Sequence, residues 1–398
     1  MIVSQRFILA FGLCCLAPLL GRGADDKKSP ALDASPSVFL SEKHNGTVAF
    51  SPDGKYVVYA PNSEKVLSRR LYVLDSATKK VLHRLPPGLY TFTPDSSRLV
   101  SICQLEAWEP LEEKPPYKEG LYDRLKVPPH RVDVYDVKTG KRLHEIPLRK
   151  GQPYGYFGGG VVTTLAVSDK TFVVAAKDAV ATVYDLETGK SLGDVPGKVR
   201  LHNFLALSHD GRWLLTVDGK RTLRTWDMKT RKQDRLLYEH MRDVRAIAIS
   251  PDGRWCGSAA KRGGFFVFDR TTGEQKAFTY FDTNSPVGMG FTSDGKRVVA
   301  TIEPTVAPTP PGQAPVKPTK WDMGLRLWDW QKEGPPTAVV FPYSPKTLTE
   351  WGNKGRFHPR VMTSDGNRFL STGGNTGILL LDLKAPGPKR EPEPKPEP

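Results

Sequence analysis

Cysteine is nearly missing from this chain of 398 residues. It has four, and two of them, Cys14 and Cys15, sit inside an N-terminal apolar run. The other two, Cys103 and Cys256, stand far apart without CxxC or CxxCH spacing. That excludes a disulfide framework, a cysteine zinc site and covalent haem. Both read as small buried hydrophobes. Catalytic signatures are missing too: there is no GxSxG elbow, no HExxH and no phosphate-binding loop. Gly158-Gly159-Gly160 leads into a strand pattern and not into a helix, so it does not cradle phosphate. His44, His202 and His358 fall near strand starts at unequal offsets, with no carboxylate recurring beside them. That suits hydrogen bonding better than a metal site. No cofactor and no metal are expected, and the chain does not read as an enzyme. Acid is also short: 43 Asp and Glu stand against 58 Lys and Arg, a formal net charge of +15. Such a balance favours anionic partners. Beyond residue 20 there is no long apolar run and no long amphipathic helix, so no transmembrane span is expected in the body of the chain.

The N-terminus has the composition of an export signal. Arg6 precedes the apolar residues 7–20, and Gly21, Gly23 and Ala24 follow. The run is short for a membrane span and suits a signal peptide over residues 1–24, with an exported product, periplasmic or secreted. Arg22 is a poor residue three places before a cut at Ala24. A lipid anchor on Cys14 or Cys15 is the lesser reading, because Leu13 and Cys14 precede them where a small residue is required. Residues 25–35 are expected as a flexible lead-in, and residues 384–398, ending KREPEPKPEP, as an extended polyproline-like tail.

What is present is a repeat. Residues 247–278 alternate apolar runs with two turn signatures. Ser250-Pro251-Asp252-Gly253 suits a tight hairpin, in which Pro presets φ, Asp bonds back to the backbone and Gly takes the left-handed position. Asp269-Arg270-Thr271-Thr272-Gly273 makes the second turn. The first recurs at Ser51, Thr93, Ser168 (shortened), Ser208, Thr292 and Thr363. An aromatic or Leu followed by Asp recurs at Asp75, Asp136, Asp185, Asp227, Asp269, Asp329 and Asp382. Asp227 and Asp269 each follow the preceding marker by 42 residues. That period is the one of a four-stranded propeller blade, and blades must stack because one sheet alone leaves apolar faces wet.

With Trp226-Asp227, Trp328-Asp329 and the stretches VAFSPDGKYVVYA (48–60) and RLYVLDSATKKVLHRL (70–85), the chain resembles WD40-type β-propellers, with a similarity to TolB-like bacterial repeats. The resemblance covers residues 36–383. It implies an all-β fold: a seven-bladed β-propeller of four-stranded antiparallel blades, with a strand near residues 37–41 completing the last blade and closing the ring. WD40 blades often carry a His–Ser–Asp–Trp set. Only His240 sits at the His position, with Ser258 in the same blade, Lys261 near the Asp place and Phe268 in place of Trp. Apolar stacking is therefore expected to hold the sheets together.

The long inserts, at 60–69, 104–130, 149–157, 303–322 and 342–356, all fall between second and third strands or between blades. In a propeller these connections open on one face, which makes that face the expected binding surface. It carries Lys43, Arg200 and Arg242 where inner strands begin, and Lys220, Arg221, Lys261 and Arg262 in the short loops: a cationic rim for a carboxylate, sulfate or phosphate. Trp108, Tyr117, Tyr122, Tyr154, Tyr156, Phe157, Tyr343 and Trp351 lie in the longer loops. The function expected is a non-enzymatic scaffold, a monomer, binding another protein or an anionic envelope polymer and no nucleic acid. The alternative is a propeller enzyme, lactonase-like or sugar dehydrogenase-like, with its active site at the channel mouth.

Overall fold

The computed structural model describes residues 31–33, 37–40, 48–59, 70–86, 88–104, 130–148, 164–175, 181–195, 205–219, 221–261, 264–280, 286–302, 320–332, 334, 336–342, 356–373 and 377–384. The proposed signal peptide, the tail beyond Lys384, most of each long insert and the insert aromatics lie outside the described residues, while residues 320–322, expected in an insert, begin a strand.

Twenty-nine strands follow in order among these residues. First come β1 (Ala31–Asp33) and β2 (Ser37–Leu40). Then come β3 (Val48–Phe50), β4 (Tyr56–Tyr59), β5 (Leu71–Asp75), β6 (Val81–Leu85), β7 (Gly88–Phe92), β8 (Arg98–Gln104), β9 (His130–Asp136) and β10 (Arg142–Pro147). The middle holds β11 (Thr164–Val167), β12 (Thr171–Ala175), β13 (Thr182–Asp185), β14 (Ser191–Asp194), β15 (Leu205–Leu207), β16 (Trp213–Asp218), β17 (Thr222–Asp227) and β18 (Lys232–Glu239). Next are β19 (Val244–Ile249), β20 (Trp255–Ala260), β21 (Gly264–Asp269), β22 (Gln275–Tyr280), β23 (Pro286–Phe291), β24 (Val298–Ile302), β25 (Lys320–Trp328) and β26 (Thr337–Pro342). The last are β27 (Arg356–Met362), β28 (Arg368–Gly373) and β29 (Gly377–Asp382).

They form six four-stranded antiparallel sheets: β3–β6, β7–β10, β11–β14, β15–β18, β19–β22, and β27–β29 with β2 added beside β29. One more sheet has five strands, in the order β1-β26-β25-β24-β23. This corrects the expectation of seven like blades: six are four-stranded, and the remaining sheet carries an extra strand. It also corrects the lead-in, because Ala31–Asp33 runs as β1, parallel to β26. The physical reason is the bare edge of β26, which offers unpaired backbone groups to any extended segment within reach.

Local chemistry explains the hairpins. Ser250 Oγ donates to Asp252, Asp252 Oδ1 accepts from the Arg254 amide at 3.0 Å, and the Gly253 amide donates to Ser250 O at 2.8 Å. The same Ser/Thr-to-Asp bond recurs at Ser51, Thr93, Ser208, Thr292 and Thr363. At the other turn, Asp75, Asp136 and Asp185 accept from the amides of Thr78, Thr139 and Thr188 at 2.7 Å. The hairpin turns also bond to one another. The Asp53 amide donates to Ser96 Oγ, Asp95 to Asp169 Oδ1, Asp169 to His209 O, and His209 to Pro251 O. Ser293 donates to Ser364 O and Ser364 to Pro52 O.

Beneath the turns, apolar clusters pack the sheets on one another. Each buried cluster joins two sheets, as in Leu71, Val73, Leu99 and Tyr135, or Val100, Val134, Phe172 and Tyr184. The series continues through Val183 and Leu214, Leu215 and Phe268, Phe265 and Val298, and Val299 and Phe369. One cluster joins Phe39 and Leu370 to Phe50 and Val57, so the sheet holding β27–β29 packs on that of β3–β6. No helix among the described residues is long and apolar enough to cross a membrane.

Candidate functional site

One end of the protein lies where β15–β18 meets β19–β22. Three connections come together there: the β16–β17 turn, the β18–β19 connection and the β20–β21 turn. Register explains the meeting. Asp218 pairs with Thr222 and Val244 with Ala260, so both turns emerge at the end where β18 hands over to β19. The His240 amide donates to Arg221 O at 3.0 Å, and the Lys261 amide donates to Asp243 O at 2.8 Å. Arg221 Nε lies 3.6 Å from Asp243 Oδ1, and Arg224 Nε lies 3.4 Å from Asp218 Oδ2.

Under these connections His240 is 3 % exposed, and its Nε2 lies 2.9 Å from Ser258 Oγ. Tyr238 and Phe266 meet its ring edge-on at 4.7 and 4.9 Å. Burial pushes the His240 imidazolium down to about 4, so at neutral pH the ring is uncharged and serves as a hydrogen-bonded post. Above it, Met241 is 89 % exposed beside the exposed Arg242.

Of the rim residues expected from sequence, Arg221, Arg242 and Lys261 are brought to this one end. Lys43, Arg200, Lys220 and Arg262 lie outside the described residues, as do His44 and His202. The rim is not purely cationic, because Asp243 and Asp218 each sit against an arginine. Pairing at this exposure is worth little energy and mainly orients the side chains. What remains is an apolar tip ringed by mixed charge, with Arg242 and Lys261 in no ion pair among the described residues. Among the described residues no three His, Cys, Asp or Glu group as a metal site.

Two features escaped the sequence reading. Trp226 Nε1 donates to Thr216 Oγ1 at 3.0 Å inside β15–β18, a buried tie from β17 to β16. Asp133 is fully buried, accepting from Tyr135 OH at 2.8 Å and Cys103 Sγ at 3.4 Å, with Arg131 Nε at 2.9 Å. Burial, with the Asp133 charge adding to it, pushes the Cys103 thiol up to about 12, so it is a protonated donor and not a nucleophile. Cys256 is likewise buried and free. The polarity of Asp133 shows in the alternation Val132-Asp133-Val134, but its partners, Arg131 and Tyr135 on its own strand and Cys103 on β8, do not.

Antiparallel four-stranded sheets joined face to face, most of them turning on Ser/Thr-x-Asp hairpins and on an aromatic or Leu followed by Asp, define a WD40-type β-propeller, and the chain has that architecture. Comparison with known proteins agrees. The chain is 28% identical over 181 residues to Pre-mRNA-processing factor 19 homolog 2 of Arabidopsis thaliana, covering 45% of this chain and 33% of that protein. It is 33% identical over 54 residues to the Protein LST8 homolog of Drosophila melanogaster, covering 14% of this chain and 17% of that one. The chain thus spans a third or less of each of these relatives. A chain in the crystal structure of a mitotic checkpoint complex matches over 96% of this chain and 99% of its own, with a TM-score of 0.57 and 14% identity. That likeness is one of fold. No family model matches the chain.

Proposed function

We propose that the chain is an exported, non-enzymatic scaffold that holds another protein against the end carrying Met241, Arg242 and Lys261. The observation that carries this reading is Met241 itself. A side chain 89 % exposed sits on a short connection whose flanks are bonded to two neighbouring turns, so it is displayed and held. A polyanion alone has no use for an apolar tip; a protein partner does, with acidic groups for Arg242 and Lys261 around it. This favours a protein over an anionic envelope polymer. The alternative of a lactonase-like or dehydrogenase-like enzyme calls for histidines and carboxylates converging at a channel mouth. The described groups that converge are Arg221, Asp243 and Lys261, over a neutral buried histidine.

The scaffold is read as a monomeric ring in which the five-stranded sheet is the remaining blade and β2 closes the circle. The turn-to-turn hydrogen bonds and the cluster around Phe39 and Leu370 support that reading. Export rests on the leader composition, and an envelope role on the similarity to TolB-like repeats.

The test is cross-linked recovery of partners from envelope extracts with the wild-type chain and with Met241→Ser/Arg242→Glu. A partner held at this end should be recovered about tenfold less well by the variant, as for loss of an anchor and a charge contact. Equal recovery by a variant of unchanged thermal midpoint would contradict the reading.

A further inference from the structure

β1 is an anomaly in this fold. It runs parallel to β26, whereas the other pairs among the described residues are antiparallel. Its ladder has three pairs: Ala31 with Ala338, Leu32 with Val339, and Asp33 with Val340. On its other side β26 pairs with β25 from Thr337 through to Pro342. The outer edge of β26 is thus covered along half the length that its inner edge uses.

The sequence limits how far β1 can run, to at most the five residues 31–35. It lies in Ser29-Pro30-Ala31-Leu32-Asp33-Ala34-Ser35-Pro36, bracketed by two prolines. Proline has no N–H to donate, so the ladder cannot extend past either. Parallel pairing is also slightly weaker per residue than antiparallel pairing. β2, after a gap of three residues, is anchored on a different strand, with Ser37 opposite Leu380 and Val38 opposite Leu379. β1 can therefore leave β26 while β2 stays in place.

We infer that the outer edge of β26 is a strand-accepting site that β1 covers within the chain, and that its ligand is an extended, proline-free segment of a partner protein adding in parallel. In strand addition the main-chain hydrogen bonds supply the affinity. A proline-free strand pairs along the whole of β26 where β1 pairs along three residues, so it displaces β1. A second copy's β1 is not that ligand. It carries the same two prolines and competes with a tethered copy whose short link to β2 gives it a high effective concentration. This site is separate from the Met241 end and stands or falls without it.

The experiment uses the full chain and a fluorescent peptide of residues 29–36 in which Pro30 and Pro36 are replaced by Val. The protein is compared with its Leu32→Pro/Asp33→Pro variant, which strips adjacent amide donors from β1 and leaves β2 intact. By fluorescence anisotropy the variant should bind the peptide at least about tenfold more tightly than the wild type, about the yield of one or two regained ladder bonds. The unaltered Pro-containing peptide should bind more weakly than the Val-substituted one. Hydrogen exchange should rise in the variant at those of Ala338, Val339 and Val340 whose amides face β1, alternate positions along the strand, and fall again when peptide is added. Equal binding by both proteins, equal binding of both peptides, or peptide protection elsewhere than β26 would overturn the proposal. So would dimerisation of the variant with β26 protected in the absence of peptide, which would assign the edge to a second copy. Should the variant lose its thermal midpoint, the chain lacking residues 1–34 is read in the same way.

Discussion

His240 shows how one residue sets a pH response. Its ordinary value is 6.5 and burial holds it near 4 in the folded chain. Above pH 6.5 both folded and unfolded states are neutral there, and the group has no effect. Between 6.5 and 4 the unfolded chain takes up a proton that the folded chain refuses, so stability falls as pH falls, by about 2 kcal/mol at pH 5. His209, also lowered by burial, adds in the same direction. The turn carboxylates act further down. Asp136 and Asp185 are held below the usual range chiefly by the side-chain hydrogen bonds of Thr139 and Thr188, so their stabilisation is present above about pH 4 and lost below it. Urea midpoints at pH 7.5 and pH 5 should therefore drop for the wild type and drop less for His240→Gln, which keeps a donor for Ser258. An equal drop in both would remove His240 from the account. His240 and Ser258 were singled out in the sequence by the resemblance to WD40 repeats, and the structure adds the bond between them. The carboxylates of Asp243 and Asp218 beside the rim arginines were not, since only the register of β16 to β20 decides which charges face one another.

At the scale of elements, the hairpin turns lock neighbouring sheets. Gly253 has φ +72°, and a Cβ there would lie 2.4 Å from Trp213 Cδ1 in the preceding sheet. Arg270 adds to the same joint: its guanidinium lies 3.4 Å from the Trp213 ring centre and 2.9 Å from Asp234, with Nε on Gly253 O. Gly219 makes a clean control, with φ +57° and nothing within 4 Å of a built Cβ. Gly253→Ala should cost about 2–4 kcal/mol, from left-handed strain and overpacking together, and Gly219→Ala about 1–2 kcal/mol from strain alone. Equal losses in denaturant titrations would deny the interlock. The turns themselves were readable from Ser-Pro-Asp-Gly because their chemistry is complete within a few residues. β1 was not readable: three residues between two prolines carry no periodicity, and their partner strand lies some three hundred residues further along.

At the scale of the whole molecule, β2 and β29, from opposite ends of the chain, meet in one sheet. In the ring proposed above, this pairing covers the edge of β29 and the Met241 connection sits on a stiff frame. Apolar clusters pack neighbouring sheets on one another and hydrogen bonds tie their turns, while the extra strand on β26 breaks the uniformity that the repeat suggested. The most direct measurement of this claim is a cross-link between Val38 and Leu379, which stand opposite each other on β2 and β29. Oxidised Val38→Cys/Leu379→Cys should form a disulfide within one chain and raise the thermal midpoint, since the bond closes a very long loop. Cross-links that form only between chains, or none at all in a folded protein, would contradict it.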